Sequence, residues 1–89
     1  MRDSVKGEAA ARLGRLEGQV RGIARMVEQD AYCIDVLTQL QAVSAACESL
    51  ALVLLDDHVR TCVANAVRSG DGGEKLDELS AAVRRFARR

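Results

Sequence analysis

One histidine and three cysteines are the residues of this 89-residue chain that can act as soft metal ligands or as thiol nucleophiles. His58 and Cys62 stand four apart in "DDHVRTC", and on a helix that spacing sets both side chains on one face, close enough to share a metal ion. Two ligands leave a site incomplete. Cys33 precedes His58 by 25 residues, close to seven helical turns, so it faces the same side of the same helix. At a rise of about 1.5 Å per residue the two lie roughly 37 Å apart, and no single unbroken helix brings them together. An antiparallel pairing of two copies does. With a two-fold axis near Ala46 and Cys47, Cys33 of one copy meets His58 and Cys62 of the other, and two symmetric sites result.

Two thiolates and one imidazole form a soft trigonal set, which suits Cu(I) better than Mg, Mn or Ca. Zn(II) also fits if a nearby carboxylate or water supplies a fourth ligand. The plainer reading is that a histidine and two cysteines on long helices fill a core, and spacing alone favours neither. The polar break made by Asp56, Asp57, His58 and Arg60 in an otherwise apolar run weighs toward function. Cys47 reads as a small core residue near the axis. The N-terminus "MRDSVKGEAAARL" lacks a signal-peptide core, and no 18-residue uncharged apolar run occurs, so the expected location is the cytoplasm, away from membranes. Three cysteines in that reducing compartment favour metal or thiol chemistry over a disulfide scaffold. An enzyme is not expected, because Cys–His catalysis needs a cleft and an orienting third group that long bundle helices do not build.

The elements that must position these residues are helices. The chain has no proline, a single tyrosine and a single phenylalanine, and 48% hydrophobic residues, which predicts an aliphatic, all-α domain. Leu13, Leu16, Val20, Ile23 and Val27 recur at steps of three and four, the seam of a helix bundle, within a first helix expected over about 5–28. "EQDAYC" interrupts it, with Asp30 the expected N-cap of a second helix over about 32–69. "LALVLL" at 50–55 is apolar all round, which predicts burial on several sides, and Gly70 before "DGG" supplies the stop. Leu76, Leu79, Val83 and Phe86 form the stripe of a third, amphipathic helix over about 74–87, with acids in its first turn and arginines in its last. So short a chain with such long apolar helices predicts oligomerisation.

The net charge of zero conceals an uneven distribution. Residues 1–25 carry Arg2, Lys6, Arg12, Arg15, Arg21 and Arg25 against Asp3, Glu8 and Glu17, whereas residues 26–59 contain six acids and no lysine or arginine. The tail is basic again and ends in "RRFARR". Local fields govern a binding surface, so the neutral total does not exclude DNA. Gly14, Gly18 and Gly22 recur every fourth residue, each costing a helix about 1 kcal/mol against alanine, which predicts a close approach by another backbone, either a helix or a DNA strand.

Two stretches, "RLGRLEGQVRGIARMVEQDAYCIDVLTQLQA" and "LLDDHVRTCV", resemble the CsoR/RcnR family of small bacterial transcriptional repressors, and its copper-sensing branch most. The likeness spans about residues 12–83. It implies a single domain over 1–89 with a three-helix protomer, paired into antiparallel four-helix-bundle dimers and assembled as a dimer-of-dimers tetramer. It also implies Cu(I) held at the dimer interface by Cys33 of one chain and His58 and Cys62 of the other, with supporting roles for Tyr32 and Glu78. From the residues alone, Tyr32 equally reads as a cap on the core at a helix start and Glu78 as a solvated acid of a first helical turn. The resemblance further implies operator DNA bound without a helix-turn-helix, through a basic face of the tetramer on which Arg12 and Arg15 are the best placed; on a helical wheel Gln19 flanks the same edge of the seam and Arg21 and Arg25 lie on its far side. Those arginines equally read as an ordinary solvated face. Some relatives carry a basic residue near the position of Ser49, and its absence here shifts the expected field toward Arg21, Arg25 and the C-terminal arginines. The expected function is therefore a repressor that binds operator DNA when metal-free and releases it with Cu(I), with a persulfide-responsive repressor of the same fold or a sensor of another transition metal as alternatives.

Overall fold

Two chain reversals set the layout, and the first differs from the expectation for Asp30. In the computed structural model, which describes residues 1–70 and 72–87, Asp30 has a φ of 56° and closes the helix before it. Its N–H donates to the Val27 carbonyl at 3.1 Å, and the Ala31 N–H donates to the Met26 carbonyl at 2.9 Å. That pair of bonds is the Schellman closure of a helix C-terminus, and a short polar side chain tolerates the left-handed backbone it demands. Tyr32 is instead the N-cap of the next helix, using only its backbone: its carbonyl accepts from the N–H groups of Asp35 and Val36. At the second reversal Gly70 has a φ of 91°. A Cβ on Gly72 would stand 2.9 Å from Val67 Cγ2, so the chain doubles back there only with glycine.

Between and beyond these turns run α1 (Asp3–Glu28), α2 (Cys33–His58), a π-helical turn (Val59–Val63), α3 (Ala64–Arg68) and α4 (Gly72–Ala87). No strand occurs among the described residues, and the fold is all-α. α2, the π turn and α3 form one rod over Cys33–Arg68.

α1 and α2 pack as an antiparallel hairpin. Ala9, Leu16 and Leu50 form its buried cluster, with Val43, Ala46 and Leu54 packed against it. Arg2, just before α1, meets Asp57 at the end of α2, and Ala9 and Leu16 pack with Leu50 and Val43, at the steps of seven that a bundle seam requires. Only two of the five residues of the apolar stripe on α1 enter this seam. Leu16 and Ile23 are buried, whereas Leu13, Val20 and Val27 are exposed. "LALVLL" likewise departs from the expected all-round burial: Leu50 alone is buried and Leu52 is exposed.

The chain measures 57 × 28 × 13 Å, so it is a layer about one helix thick. Its radius of gyration of 17.3 Å exceeds the roughly 12 Å of a compact domain of this length. A single layer of helices has two open faces, and large apolar side chains, Leu13, Val20, Leu37 and Leu40 among them, are left exposed. The rod Cys33–Arg68 is long and apolar enough, by length and composition, to cross a membrane.

Candidate metal centre

The candidate ligands sit at opposite ends of one stripe. Val36, Val43, Leu50 and Asp57 point into the hairpin seam, and the residues one position on, Leu37, Ser44, Ala51 and His58, lie roughly a quarter turn around the helix. Joined by Cys33, Leu40, Cys47 and Leu54, they make a second line at steps of three and four that begins at Cys33 and ends at His58. Leu37 and Leu40 are exposed on it, and so is Cys47, which does not reach the core of its own chain. Cys47 instead lines a groove with Leu13, Leu16 and Val20 of α1, so the open faces of the two helices adjoin.

Cys33 occupies the first position of α2 and His58 the last, and Cys62 lies inside the π turn. All three cysteines are free thiols, exposed in the single chain. Among the described residues, no group of three His, Cys, Asp or Glu side chains comes close enough to hold a metal ion. The structure therefore brings His58 and Cys62 to one end and Cys33 to the other. A π turn closes its hydrogen bonds over five residues instead of four, so more residues share the turn and positions four apart are drawn nearer one azimuth. Such turns frequently mark functional sites.

His58 is half-buried and lines a cleft with Leu54, Leu55, Leu79, Phe86 and Glu78, so α4 is the element that brings Glu78 to the same cleft. Glu78 is also paired with Lys75, Nζ to Oε2 at 3.3 Å. The Tyr32 side chain is exposed and does not cap the core.

Sequence reasoning missed Asp57. It is 2% exposed, and its Oδ1 accepts from Arg2 Nε at 2.6 Å. The hydrogen bond and charge of Arg2 hold its carboxyl below the usual value near 3.8, against the opposing pull of desolvation. Its heptad position, seven residues after the buried Leu50, was the available signal: an acid there continues the seam. Asp56, its neighbour, is exposed and pairs with Arg60 at 3.0 Å.

The candidate phosphate-contacting residues divide into two groups. Arg12, Arg15 and Gln19 line one small depression on α1 with Leu16 and Ala46. Arg12 donates from Nη2 to Glu8 at 3.3 Å, and its buried Nε lacks a hydrogen-bond partner. Arg21 borders the groove that holds Cys47 instead, and Arg25 is exposed near the end of α1. Arg88 and Arg89, part of the C-terminal basic run, lie outside the described residues. The glycine reading is corrected within the chain. A Cβ on Gly14 or Gly18 would meet nothing within 4 Å, and one on Gly22 only the end of the Arg25 side chain, so no intrachain backbone approaches them.

A one-layer helical protomer with exposed thiols and a histidine spread along one partly open stripe defines the class: an all-α bundle-forming chain with candidate soft ligands on its surface. Residues 5–85 match the model of the metal-sensitive transcriptional repressor family, and the chain belongs to that family. It is 58% identical over 85 residues to the copper-sensing transcriptional repressor RicR of Mycobacterium tuberculosis, covering 93% of this chain and 88% of that one. It is 49% identical to the copper-sensing transcriptional repressor CsoR of Bacillus subtilis, covering 93% and 82%. Among solved structures it superposes on the copper-sensing repressor CsoR with Cu(I) from Geobacillus thermodenitrificans with a TM-score of 0.93 and 41% identity, covering 99% of this chain and 92% of that one.

Proposed function

We propose that this chain is a Cu(I)-responsive transcriptional repressor that holds the metal between two copies, with Cys33 from one and His58 and Cys62 from the other. The observation that carries the reading is the exposed stripe on α2, which has soft ligands at both ends and apolar side chains between them. Two copies laid antiparallel along that stripe bury it and complete two sites at once. The donor set, two thiolates and one imidazole, fits Cu(I), which would link the two chains. The relatives named above are copper-sensing repressors, which supports the same metal.

In this reading His58 ligates through one ring nitrogen and its other N–H donates to Glu78, which leaves Lys75 to accept it. Tyr32, beside Cys33, borders the same site from the other chain. Arg12, Arg15 and Gln19 contact operator phosphates, Arg21 and Arg25 extend the field, and affinity falls steeply with salt because counterions are released. A dimer, and a tetramer built from two dimers, covers both open faces of the thin layer. The apolar rod is thus consumed by helix contacts and not by lipid, and the protein works in the cytoplasm, where the DNA is. No catalytic step is involved. The metal-free assembly holds the operator, and the geometry enforced at the three ligands lowers that affinity; by linkage, DNA weakens metal binding by the same factor.

Anaerobic titration with Cu(I), Zn(II) and Ni(II), followed by absorption and by fluorescence anisotropy of a labelled duplex from upstream of the gene, tests this. Cu(I) is expected to lower DNA affinity at least about tenfold, and Cys33→Ser, His58→Ala and Cys62→Ser each to abolish the effect. Release by zinc or nickel without any effect of copper would sink the assignment. Polysulfide-driven crosslinking with release, and no copper effect, would replace it with a thiol switch on the same exposed cysteines.

A further inference from the structure

Asp57 is the one buried polar or charged residue among the described residues, and the proposed ligand chemistry does not use it. Its two halves point to different partners. The carboxylate reaches out of α2 to Arg2 Nε at 2.6 Å, at the very start of α1. The backbone carbonyl accepts from Thr61 Oγ1 at 2.8 Å, and that hydroxyl lies 3.6 Å from Cys62 Sγ. A threonine bonded to the carbonyl four residues back often bends a helix, and here that bond lies at the π turn that holds Cys62. A chain of contacts therefore runs from the N-terminal end of α1 through Asp57 to the turn carrying His58 and Cys62.

The position of the pair is as telling as its contacts. Arg2 and Asp57 take the place in the seam that Ala9 with Leu50, and Leu16 with Val43, take further along. The apolar seam thus ends in an ion pair at the end of the hairpin where the ligands lie. An apolar contact tolerates sliding, whereas a buried carboxylate with one guanidinium partner has a single satisfied arrangement.

We infer that Arg2 and Asp57 form a latch that positions the His58–Cys62 turn and ties its geometry to the start of α1, the helix that carries Arg12 and Arg15. The inference rests on the proposed metal site for its regulatory meaning and on the hairpin alone for its mechanics. Arg2 and Asp57 are positioning residues: neither would touch the metal or the DNA. Distortion of the turn when its two ligands close on Cys33 of a second copy pulls on the Asp57 backbone, and the ion pair passes that displacement to the first turn of α1. Without the pair, the turn moves and α1 does not follow.

Amide hydrogen exchange on the full chain, read over segments 3–10, 14–24 and 57–64, tests this without DNA. In the metal-free protein, Arg2→Gln and Asp57→Asn are each expected to speed exchange in both 3–10 and 57–64 by about tenfold, with 14–24 unchanged. Arg2→Lys, which keeps the charge, is expected to return 57–64 to within about threefold of wild type. Exchange that rises in 3–10 alone would reduce the pair to a cap on the N-terminus and overturn the inference. On adding Cu(I), wild type should respond in 57–64 and in 3–10, and Arg2→Gln in 57–64 only. A wild-type response confined to 57–64, or a response of 3–10 that persists in Arg2→Gln, would also overturn it. Should Cu(I) leave 57–64 unchanged in wild type, the copper reading fails while the metal-free result still decides the latch.

Discussion

The two apolar lines on α2, a quarter turn apart, do different work. The line through Val36, Val43 and Leu50 is met by α1 and forms what core the chain has, with Leu50 buried at 7% exposure. The line through Leu37 and Leu40, 53% and 48% exposed, is open there, while further along it Leu54 packs on the core and lines the cleft with α4. In the proposed function the first is a folding surface and the second an assembly surface. The candidate ligands stand on the second, so a metal held there would report on assembly, whereas a ligand on the first would report only on whether the hairpin is folded.

That contrast predicts opposite phenotypes for similar substitutions. The largest effect should come from Leu40→Glu on the open line. A charge at an apolar interface is left buried and unpaired, so the assembly should dissociate into smaller species by sedimentation. Helix content by circular dichroism should stay near wild type, and Cu(I) affinity should collapse because Cys33 loses its partners. A Leu40→Glu chain that still sediments as wild type would remove the open line from the interface.

Leu50→Ala on the folding line should act the other way round. Truncating a buried leucine typically costs about 2–5 kcal/mol, and this shallow core places the expected loss of unfolding free energy toward the lower end. Urea unfolding should show the loss. The assembled fraction of Leu50→Ala should still bind Cu(I) with the stoichiometry of wild type. Loss of metal stoichiometry in the folded protein would mean that the two lines are not separable.

The sequence made one of these lines legible and obscured the other. Steps of three and four mark which residues are apolar on one side of a helix, but a bundle with two open faces has two such lines, and periodicity does not say which partner each one meets. Leu13, Leu16, Val20, Ile23 and Val27 form one pattern in the sequence and two surfaces in the structure, because Leu16 and Ile23 face α2 while the others face outward. The all-α architecture was readable from the absence of proline and the length of the runs. The ligand candidates were readable because cysteine and histidine are scarce here and their spacing is a geometric statement. Asp30 was misread because an acid before an apolar run signals an N-cap, yet the same short polar side chain also suits the left-handed residue that ends the preceding helix. The Arg2–Asp57 pair joins residues 55 apart in sequence and was visible only through the heptad step from Leu50, which requires knowing the register of the hairpin.

The smallest effect separates the lines most sharply, because it concerns glycines that touch nothing. Gly14 and Gly18 face open space in the single chain, so alanine there removes the helix penalty and introduces no clash. By propensity alone each Gly→Ala change should stabilise α1 by up to about 1 kcal/mol. If both positions are solvent in the assembly too, Gly18→Ala should raise the midpoint of thermal unfolding and leave sedimentation and DNA binding unchanged. If another copy or a DNA strand approaches α1 closely, the same methyl group should gain nothing in stability and weaken whichever association it obstructs. Gly14 borders the groove holding Cys47, Leu13 and Val20, whereas Gly18 does not line it. A loss of assembly with Gly14→Ala and of DNA affinity with Gly18→Ala would therefore assign the glycines to different partners, and the spacing of four that looks like one motif would be two.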